Sequence, residues 1–547
     1  MLNKKYTFWL IFLPLFSLLF GCANRQPPGG GPRDHDPPKL LKASPPDMTR
    51  HFNTKVIRLT FDEYFKLTNQ YTEITMTPTP TKPPQYLRSQ KTLVITLKDT
   101  LEKNTTYVIN FGKAIADVTE GNILKNFTYV FSTGEHIDSL SISGRVINTQ
   151  TGEREKDATV MLFTLKQDSL LFGKKRSSIF TSTDTAGDFT LNNLHPDDYR
   201  IYALKETSGN PTRIYNNDRD LIAFTTKNVH LTRDTSNVRL KLFLATPDKF
   251  RVVEKKFFDL DGSIYFSFNK PLDNPSIVIN YPPDFDKYKI VYFSPTKDTA
   301  RVFMKNMDFD SLSMSISNNG KPLDTISKHK GRKEAFTRTM SFRYDISQDG
   351  KLKPGRSFTV TANLPVQSFD VSLLSLKEDS TDVNNFNVVQ DSTDAEKFFV
   401  QYRWKQNHTY TFTISADAFT DIYGDKNKGT HKIFLLDKPE NYSLLTLNVT
   451  VPDTAKQYIV ELQNDKKQVL RTDVIHKNAT LNYKDYITGK YAVSVIYDDN
   501  KNGKWDSGNV KLRRQPENIW LDPDIIALRP NWEQTTPVVI PKEANIQ

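Results

Sequence analysis

The stretch Val56-Ile57-Arg58-Leu59-Thr60-Phe61 decides the fold, because apolar and polar side chains alternate along it without a break. Successive side chains of a strand point to opposite faces, so this pattern predicts a strand with one buried and one exposed face. The same alternation recurs at residues 92–97 and 107–111, and turn residues lie between, as at 78–84. No long stretch has the 3.6-residue period of a helix. We therefore predict an all-β chain of tandem antiparallel β-sandwiches.

The composition agrees with a folded β-protein and argues against some partners. The 547 residues include 35 Phe, 23 Tyr and 30 Pro, and aromatic residues make up 12%. This is too aromatic for a disordered chain and favours many short strands joined by turns. The formal net charge of +11 is a thin excess for this length. Because no dense run of Lys or Arg is present, we predict no nucleic-acid partner.

The N-terminus has the features of a targeting segment. Lys4 and Lys5 precede an apolar run at residues 8–20, which is too short for a stable transmembrane helix. Cys22, the chain's one cysteine, follows Gly21. Leu19-Phe20-Gly21-Cys22 resembles the lipobox of bacterial lipoproteins. The resemblance implies cleavage before Cys22 and lipidation of its thiol and new amino group. The alternative is an ordinary signal peptide in which the cysteine occurs by chance.

Lipidation would anchor the chain to the outer membrane, and the sequence leaves open whether it faces the periplasm or the cell surface. Cleavage before Cys22 would remove Lys4 and Lys5. The mature chain would then have 72 basic against 63 acidic residues, a net charge of +9. Residues 22–36 are rich in Pro and Gly and have no apolar period, so we expect a flexible tether.

The segment after the tether resembles the S-layer-type bacterial Ig-like domain. The resemblance implies an Ig-like β-sandwich over about residues 37–136. It is carried by Pro37-Pro38, Ser44-Pro45-Pro46, and the stretches 57–63, 101–107 and 129–134.

The next segment is similar to the carboxypeptidase-regulatory-like module, which has a transthyretin-like fold. The resemblance implies a β-sandwich without peptidase activity. It is carried by residues 144–146, 151–153, 158–162, 183–189 and 194–201.

The rest of the chain echoes these two units. Residues 407–414 resemble 104–109, and in both copies an aspartate and a glycine follow: Asp117 with Gly121, and Asp421 with Gly424. We predict that the polar stretch 378–396 is a long loop within an Ig-like unit. The resulting division is 1–21 signal peptide, 22–36 tether, 37–136 Ig-like, 137–245 carboxypeptidase-regulatory-like, 246–335 and 336–437 Ig-like, and 438–547 transthyretin-like.

The last unit contains a candidate metal loop, Asp498-Asp499-Asn500-Lys501-Asn502-Gly503-Lys504-Trp505-Asp506. Asp498, Asn500 and Asn502 occupy alternate positions before a glycine, as at the start of an EF-hand loop, and Asp506 follows. Asn509 stands where that loop has its glutamate. These four residues predict a weak structural Ca²⁺ site, and an ordinary Asn-Gly turn is the alternative. No other cofactor is expected.

Asp followed by Ser or Thr and then by Ala, Leu, Ile or Thr occurs ten times, which resembles the O-glycosylation sequon of the Bacteroidota. The alternative is the preference of these dipeptides for turns. The hydroxyls of the ten candidates belong to Thr100, Ser139, Ser169, Thr185, Thr299, Ser311, Thr325, Ser380, Ser392 and Thr454.

Motifs of common enzymes are missing from the sequence. It has no His-Glu-x-x-His, no Gly-x-Ser-x-Gly and no Walker loop, and a lipidated Cys22 could not be a nucleophile. A carboxylate pair assembled from distant residues remains an alternative. The expected function is a non-enzymatic outer-membrane lipoprotein of the Bacteroidota envelope. It would be a scaffold or accessory subunit of a β-barrel machine for assembly, secretion or uptake. The alternative is a glycan-binding surface lipoprotein of a polysaccharide uptake system.

Overall fold

The computed structural model describes residues 33–173, 176–207, 212–247, 249–258, 261–330 and 338–544. The predicted signal peptide, Cys22 and most of the predicted tether therefore lie outside the described residues. Within them the chain is all-β, as predicted, and most strand pairs are antiparallel. The described helices are short: α1, Gln70–Glu73, and the 3₁₀ helices Leu165–Phe172, Phe285–Tyr288, Val371–Leu373 and Pro439–Asn441.

The first unit is a sandwich around an aromatic core. Ile57, Leu59 and Phe61 are completely buried, while Arg58 between them is exposed. The strand at 56–61 therefore has one buried face, as its alternation predicts. The sheets are β1-β2-β6-β5, β4-β7-β9 and β3-β8. The strands are β1 Leu40–Ser44, β2 Val56–Phe61, β3 Phe65–Leu67, β4 Thr75–Thr77, β5 Gln85–Ser89, β6 Thr92–Thr96, β7 Thr106–Asn110, β8 Ile115–Asp117 and β9 Thr128–Ser132.

The second unit is a continuous curved sheet in the order β12-β11-β14-β15-β17-β10-β13, with β16 paired to β14. Ile142, Val160 and Ile201 belong to its inner core, whereas Met161 and Phe163 belong to a second apolar cluster on the other face. The strands are β10 Leu140–Asn148, β11 Thr159–Thr164, β12 Ile179–Ser182, β13 Asp188–Leu194, β14 Asp197–Lys205, β15 Leu221–Phe224, β16 Val229–Leu231 and β17 Thr235–Leu244.

The third unit packs two sheets, β18-β19-β22-β21 and β20-β23-β24, around a core that includes Phe266 and Met314. The strands are β18 Val252–Phe257, β19 Ile264–Phe268, β20 Pro275–Tyr281, β21 Lys289–Phe293, β22 Thr299–Met304, β23 Ser311–Asn318 and β24 Lys321–His329.

The fourth unit has sheets β25-β27-β32-β31, β26-β35-β33-β29-β30 and β28-β34. The prediction of one long loop at 378–396 was wrong, because β30 and β31 lie in it and Val383 and Val388 pack in the core. The strands are β25 Phe342–Tyr344, β26 Lys351–Leu352, β27 Phe358–Ala362, β28 Val366–Phe369, β29 Leu374–Glu378, β30 Thr381–Val383, β31 Asn387–Gln390, β32 Lys397–Gln401, β33 Thr409–Ile414, β34 Phe419–Asp421 and β35 Thr430–Leu436.

The fifth unit packs β39-β36-β43 against β38-β37-β40-β41, with β42 also paired to β40. The pair β36–β43 is parallel, as are β10–β17 and β26–β35, so the sheets are not purely antiparallel. Parallel neighbours need a long crossover, which the intervening strands of each unit provide. The strands are β36 Tyr442–Thr450, β37 Gln457–Asn464, β38 Val469–Ile475, β39 Ala479–Ile487, β40 Gly489–Asp498, β41 Ile519–Leu521, β42 Ile526–Leu528 and β43 Glu533–Val539.

The echoed aspartates of the first and fourth units have one structural role. Asp117 is buried and accepts hydrogen bonds from the backbone N–H groups of Gly121 and Asn122. Asp421 is buried too, and it accepts from the N–H groups of Tyr423 and Asp425. Each carboxylate closes the turn that follows its strand, so this sequence repeat reflects turn formation.

Candidate functional site

The loop after β40 brings the four predicted calcium ligands together. Asp498 is 1% exposed and accepts hydrogen bonds from the N–H of Gly503 at 2.8 Å and from Nε2 of Gln457 at 2.7 Å. Asp506 accepts from the side-chain amides of Asn500 and Asn502, the latter at 2.8 Å. These side chains lie close together in one loop, and hydrogen-bond donors of the loop already contact their oxygen atoms.

Sequence reasoning missed a further carboxylate of this loop, Glu517. Its two side-chain oxygens accept hydrogen bonds from the N–H groups of Asp499 and Asp506, each at 2.9 Å. Burial raises the pKa of Glu517, and the carboxylates of Asp506 and Asp498 add to the shift. No spacing rule marks Glu517, because the loop reverses direction before it reaches this residue. The described residues contain no group of three or more His, Cys, Asp or Glu arranged to hold a metal ion, so Ca²⁺ binding stays a prediction.

The residues that follow, 505–515, form a docking loop against the second unit. Trp505 and Val510 join the outer apolar cluster of that unit, which includes Phe163 and Phe224. A Cβ on Gly508 would lie 2.6 Å from the ring of Phe243, so only glycine permits this approach.

Polar contacts surround this apolar cluster. Arg513 donates to the hydroxyl of Tyr202 at 3.1 Å and to the carbonyl of Thr225 at 2.6 Å. Gln515 donates to the carbonyl of Phe224 at 2.8 Å. The fifth unit therefore packs on the second, although some three hundred residues separate them in the chain. This contact covers the outer face of the second unit's sheet, which would otherwise expose apolar side chains.

The first and second units are joined around a buried arginine. Arg213 of the second unit is 5% exposed, contacts the carboxylate of Glu73 at 3.4 Å and donates to the carbonyl of Thr72. Its guanidinium also lies 3.8 Å from the ring centre of Phe180. Burial lowers the pKa of Arg213 to about 10, and Glu73 opposes this shift, so the side chain stays charged at neutral pH.

Side chains of the first unit also cover one edge of β12, which pairs with β11 alone among the described strands. Asn126 both donates to the carbonyl and accepts from the N–H of Ser182, each at 2.9 Å. Asn110 donates to the carbonyl of Phe180 at 2.6 Å, and Thr75 to that of Ser178 at 2.9 Å. These amides and hydroxyls satisfy the strand edge as another strand would.

A cleft of about 960 Å³ lies beside this contact. Its walls are β7 and β9 of the first unit and β12 and β13 of the second, and most of its lining side chains are Thr, Asn, Ser and Asp. The lining contains five carboxylates and two histidines but no Lys or Arg. This polar cleft was not predicted, because its walls are far apart in the sequence.

The predicted glycosylation positions differ in exposure. Thr299 and Ser311 are half-buried, and both lie on strands, β22 and β23. The other eight residues are exposed: Thr100, Ser139, Ser169, Thr185, Thr325, Ser380, Ser392 and Thr454. Of the helices in the described residues, none combines the length and the apolar character needed to cross a membrane.

The comparisons with known proteins agree with the fold. The family model described as a bacterial Ig-like domain matches residues 34–133, so the first unit is similar to that domain, as the sequence predicted. No curated protein matches the chain significantly.

Three of the solved structures to which the chain is similar illustrate the level of similarity, and their TM-scores are low. The major pilin subunit BcpA of Bacillus cereus has 10% identity over 73% of this chain and 99% of its own, with a TM-score of 0.13. The S-layer protein rSbsC(31-844) has 10% identity over 90% and 67%, with a TM-score of 0.15. The protein SGBP-B of the Bacteroides ovatus mixed-linkage glucan utilization locus, solved with a heptasaccharide, has 11% identity over 63% and 84%, with a TM-score of 0.18. Scores this low carry no argument about function.

Proposed function

We propose that the chain is a non-enzymatic lipoprotein of the Bacteroidota outer membrane, held by a lipidated Cys22. It acts as a scaffold or accessory subunit of a β-barrel machine in the envelope. We also propose that the second unit is a transthyretin-like β-sandwich, as the sequence predicts. The single observation that supports a scaffold is that buried side chains join the first unit to the second, the second to the fifth and the third to the fourth, so that these units are held stiffly against one another.

Three contacts illustrate this stiffness. Arg213 joins the first and second units, and Trp505 with Val510 joins the fifth unit to the second. Between the third and fourth units, Phe303 packs with Leu364 and Ile422. Contacts between domains that are small and polar allow motion by default, whereas buried apolar ones restrict it. Stiffly joined sandwiches can hold a partner at a fixed distance from the first unit, which the predicted tether joins to the anchor.

The proposal is tested by affinity purification of the tagged protein from detergent-solubilised membranes of its host. We expect an outer-membrane β-barrel protein to co-purify in a stoichiometric amount. A strain that produces the protein with Cys22→Ser is the control, because loss of the anchor should remove the co-purified barrel. Recovery of the tagged protein without any barrel protein from crosslinked membranes would contradict the proposed role.

A further inference from the structure

We propose that the cleft between the first and second units binds an extended, basic polypeptide segment, which adds as a strand beside β13. This inference goes beyond the proposed scaffold role, because it needs neither the lipid anchor nor a β-barrel partner. The proposal rests on three features of the described residues. They are a strand edge in the cleft, an excess of carboxylates over basic groups in its lining, and walls that are held in place by contacts between the two units.

The strand edge belongs to β13, which pairs with β10 alone among the described strands. The carbonyl of Gly187 accepts a hydrogen bond from the N–H of Val146 in β10 at 2.9 Å. The N–H and the carbonyl of Asp188 instead bond to Asp184 in the preceding turn, so the backbone groups of Asp188 face away from β10. Backbone groups alternate in direction along an antiparallel strand. The backbone groups of Phe189 and Leu191 therefore face β10. The backbone groups of Thr190 face away from β10, and Thr190 lines the cleft. A polypeptide that adds to a sheet as a further strand forms hydrogen bonds with backbone N–H and carbonyl groups that point outward in this way.

The charge of the cleft favours a basic ligand. Asp188 is neutralised by Arg145, whose guanidinium donates to it at 2.6 and 3.0 Å, and Asp138 lies 3.3 Å from Nδ1 of His195. The other carboxylates that line the cleft belong to Glu102, Asp184 and Asp197. No Lys or Arg lines the cleft, although basic residues exceed acidic ones in the whole chain, 74 to 63. A lysine or arginine of an incoming segment would meet the carboxylates of Glu102, Asp184 and Asp197, and no Lys or Arg of the lining would repel it.

The walls of the cleft are fixed by the contacts that join the two units. The amide of Asn126 holds Ser182 through two hydrogen bonds, and Arg213 is buried between Glu73 and Phe180. A ligand therefore enters a site that is already shaped, and binding costs little ordering of the protein.

A glycan fits this cleft less well than a polypeptide. Sugar rings pack on exposed aromatic faces, but the aromatic residues of the lining, Phe180, Phe189 and Tyr199, are only 3%, 4% and 2% exposed. The lining instead offers a strand edge and carboxylates, which match the backbone and the side chains of an extended basic segment.

The test uses the chain from residue 22 with Cys22→Ser, so that the protein is soluble. The probe is a fluorescent peptide of roughly nine residues that alternates Lys and Thr, long enough to pair along β13. Fluorescence anisotropy measures its dissociation constant beside two matched peptides, one with Glu in place of Lys and one with alternate backbone nitrogens methylated. We expect the Lys peptide to bind, the Glu peptide not to bind, and methylation to weaken binding by about tenfold or more, because it removes strand hydrogen bonds.

The protein variants test the location. Glu102→Gln with Asp197→Asn removes two exposed charges of the cleft and should weaken the Lys peptide by about tenfold. Glu440→Gln with Glu533→Gln removes two exposed charges elsewhere and should change nothing. Circular dichroism confirms that both variants are folded. Equal binding of the methylated peptide, equal weakening by both variant pairs, absence of binding, or saturable binding of a neutral oligosaccharide in place of the peptide would each overturn the proposal. None of these outcomes bears on co-purification with a β-barrel, so the two proposals fail separately.

Discussion

Arg213 is the residue that most directly links the first unit to the second. We predict that Arg213→Ala destabilises this contact by about 3–5 kcal/mol, because Glu73 would remain buried without its counter-charge. Hydrogen exchange of the amides in β12 and α1 measures the local opening. Adding Glu73→Gln should recover part of the loss, and Arg233→Ala, at an exposed position, is the control. Unchanged protection in Arg213→Ala would show that the ion pair does not hold the units together.

Glu396 lies between the third and fourth units, 3.4 Å from Arg301, and its side chain is 12% exposed. Burial raises its pKa to about 7, with further contributions from Asp394 and Asp261, while Arg301 and Arg343 act in the opposite direction. The folded chain thus keeps a proton that the unfolded chain releases above its ordinary pKa of 4.5. The stability that this group contributes is therefore present below pH 4.5 and is lost as the pH rises toward 7.

We predict that Glu396→Gln removes this part of the pH dependence. The difference in unfolding free energy between wild type and variant should change by at most about 3 kcal/mol between pH 4.5 and 7, since one pKa unit corresponds to about 1.4 kcal/mol. Urea unfolding at several pH values measures it, with the exposed Glu440→Gln as the control. Parallel pH curves for wild type and Glu396→Gln would contradict the prediction.

At the scale of elements, the loop 498–506 is the part of the chain where calcium can be tested. We predict that Ca²⁺ raises the melting temperature only at concentrations above its dissociation constant, which should be roughly 10⁻⁴ to 10⁻³ M for a site with so few carboxylates. Asp506→Asn keeps a hydrogen-bond acceptor but removes a charge, so it should abolish the shift. Asp453→Asn, on an exposed turn of the same unit, should keep it. A chelator-insensitive melt, or the same shift in both variants, would leave the loop as an ordinary turn.

At the scale of the whole molecule, the anchor is the first property to test. We predict that Cys22→Ser moves the protein from the membrane fraction to the soluble fraction, because acyl chains supply about 0.8 kcal/mol per buried methylene and their loss removes that affinity. Fractionation after a high-salt wash and immunoblotting give the answer. Retention of the variant on membranes would mean that another part of the protein or a partner holds it there.

The glycosylation sequons lead to the last prediction. We expect glycans at several of the eight exposed positions and none at the half-buried Thr299 and Ser311, because a transferase needs an accessible hydroxyl. Intact-mass measurement of protein from the native host gives the total, and peptide mapping gives the positions. A mass equal to that of the lipidated polypeptide would remove the sequon hypothesis.

The fold class and the local structure could be predicted from particular stretches. The alternation of Val56–Phe61 gave its strand and its buried face, and the echoed Asp117 and Asp421 occupy equivalent turns. Asp498, Asn500, Asn502 and Asp506 also lie close together, because they belong to one short loop. All of these depend on contacts within a few residues, where the geometry of a strand or turn follows directly from the order of side chains.

Contacts between distant segments could not be read in this way. The sequence determined that the chain is all-β, where its strands alternate and where its turns close, because these depend on local periodicity and backbone preferences. Only the tertiary structure decided that Glu517 returns to the loop, that Trp505 covers the second unit, and that β13 leaves an edge beside an acidic cleft. The physical reason is that burial and charge balance depend on which surfaces meet, and surfaces that meet across hundreds of residues leave no periodic signal in the order of the chain.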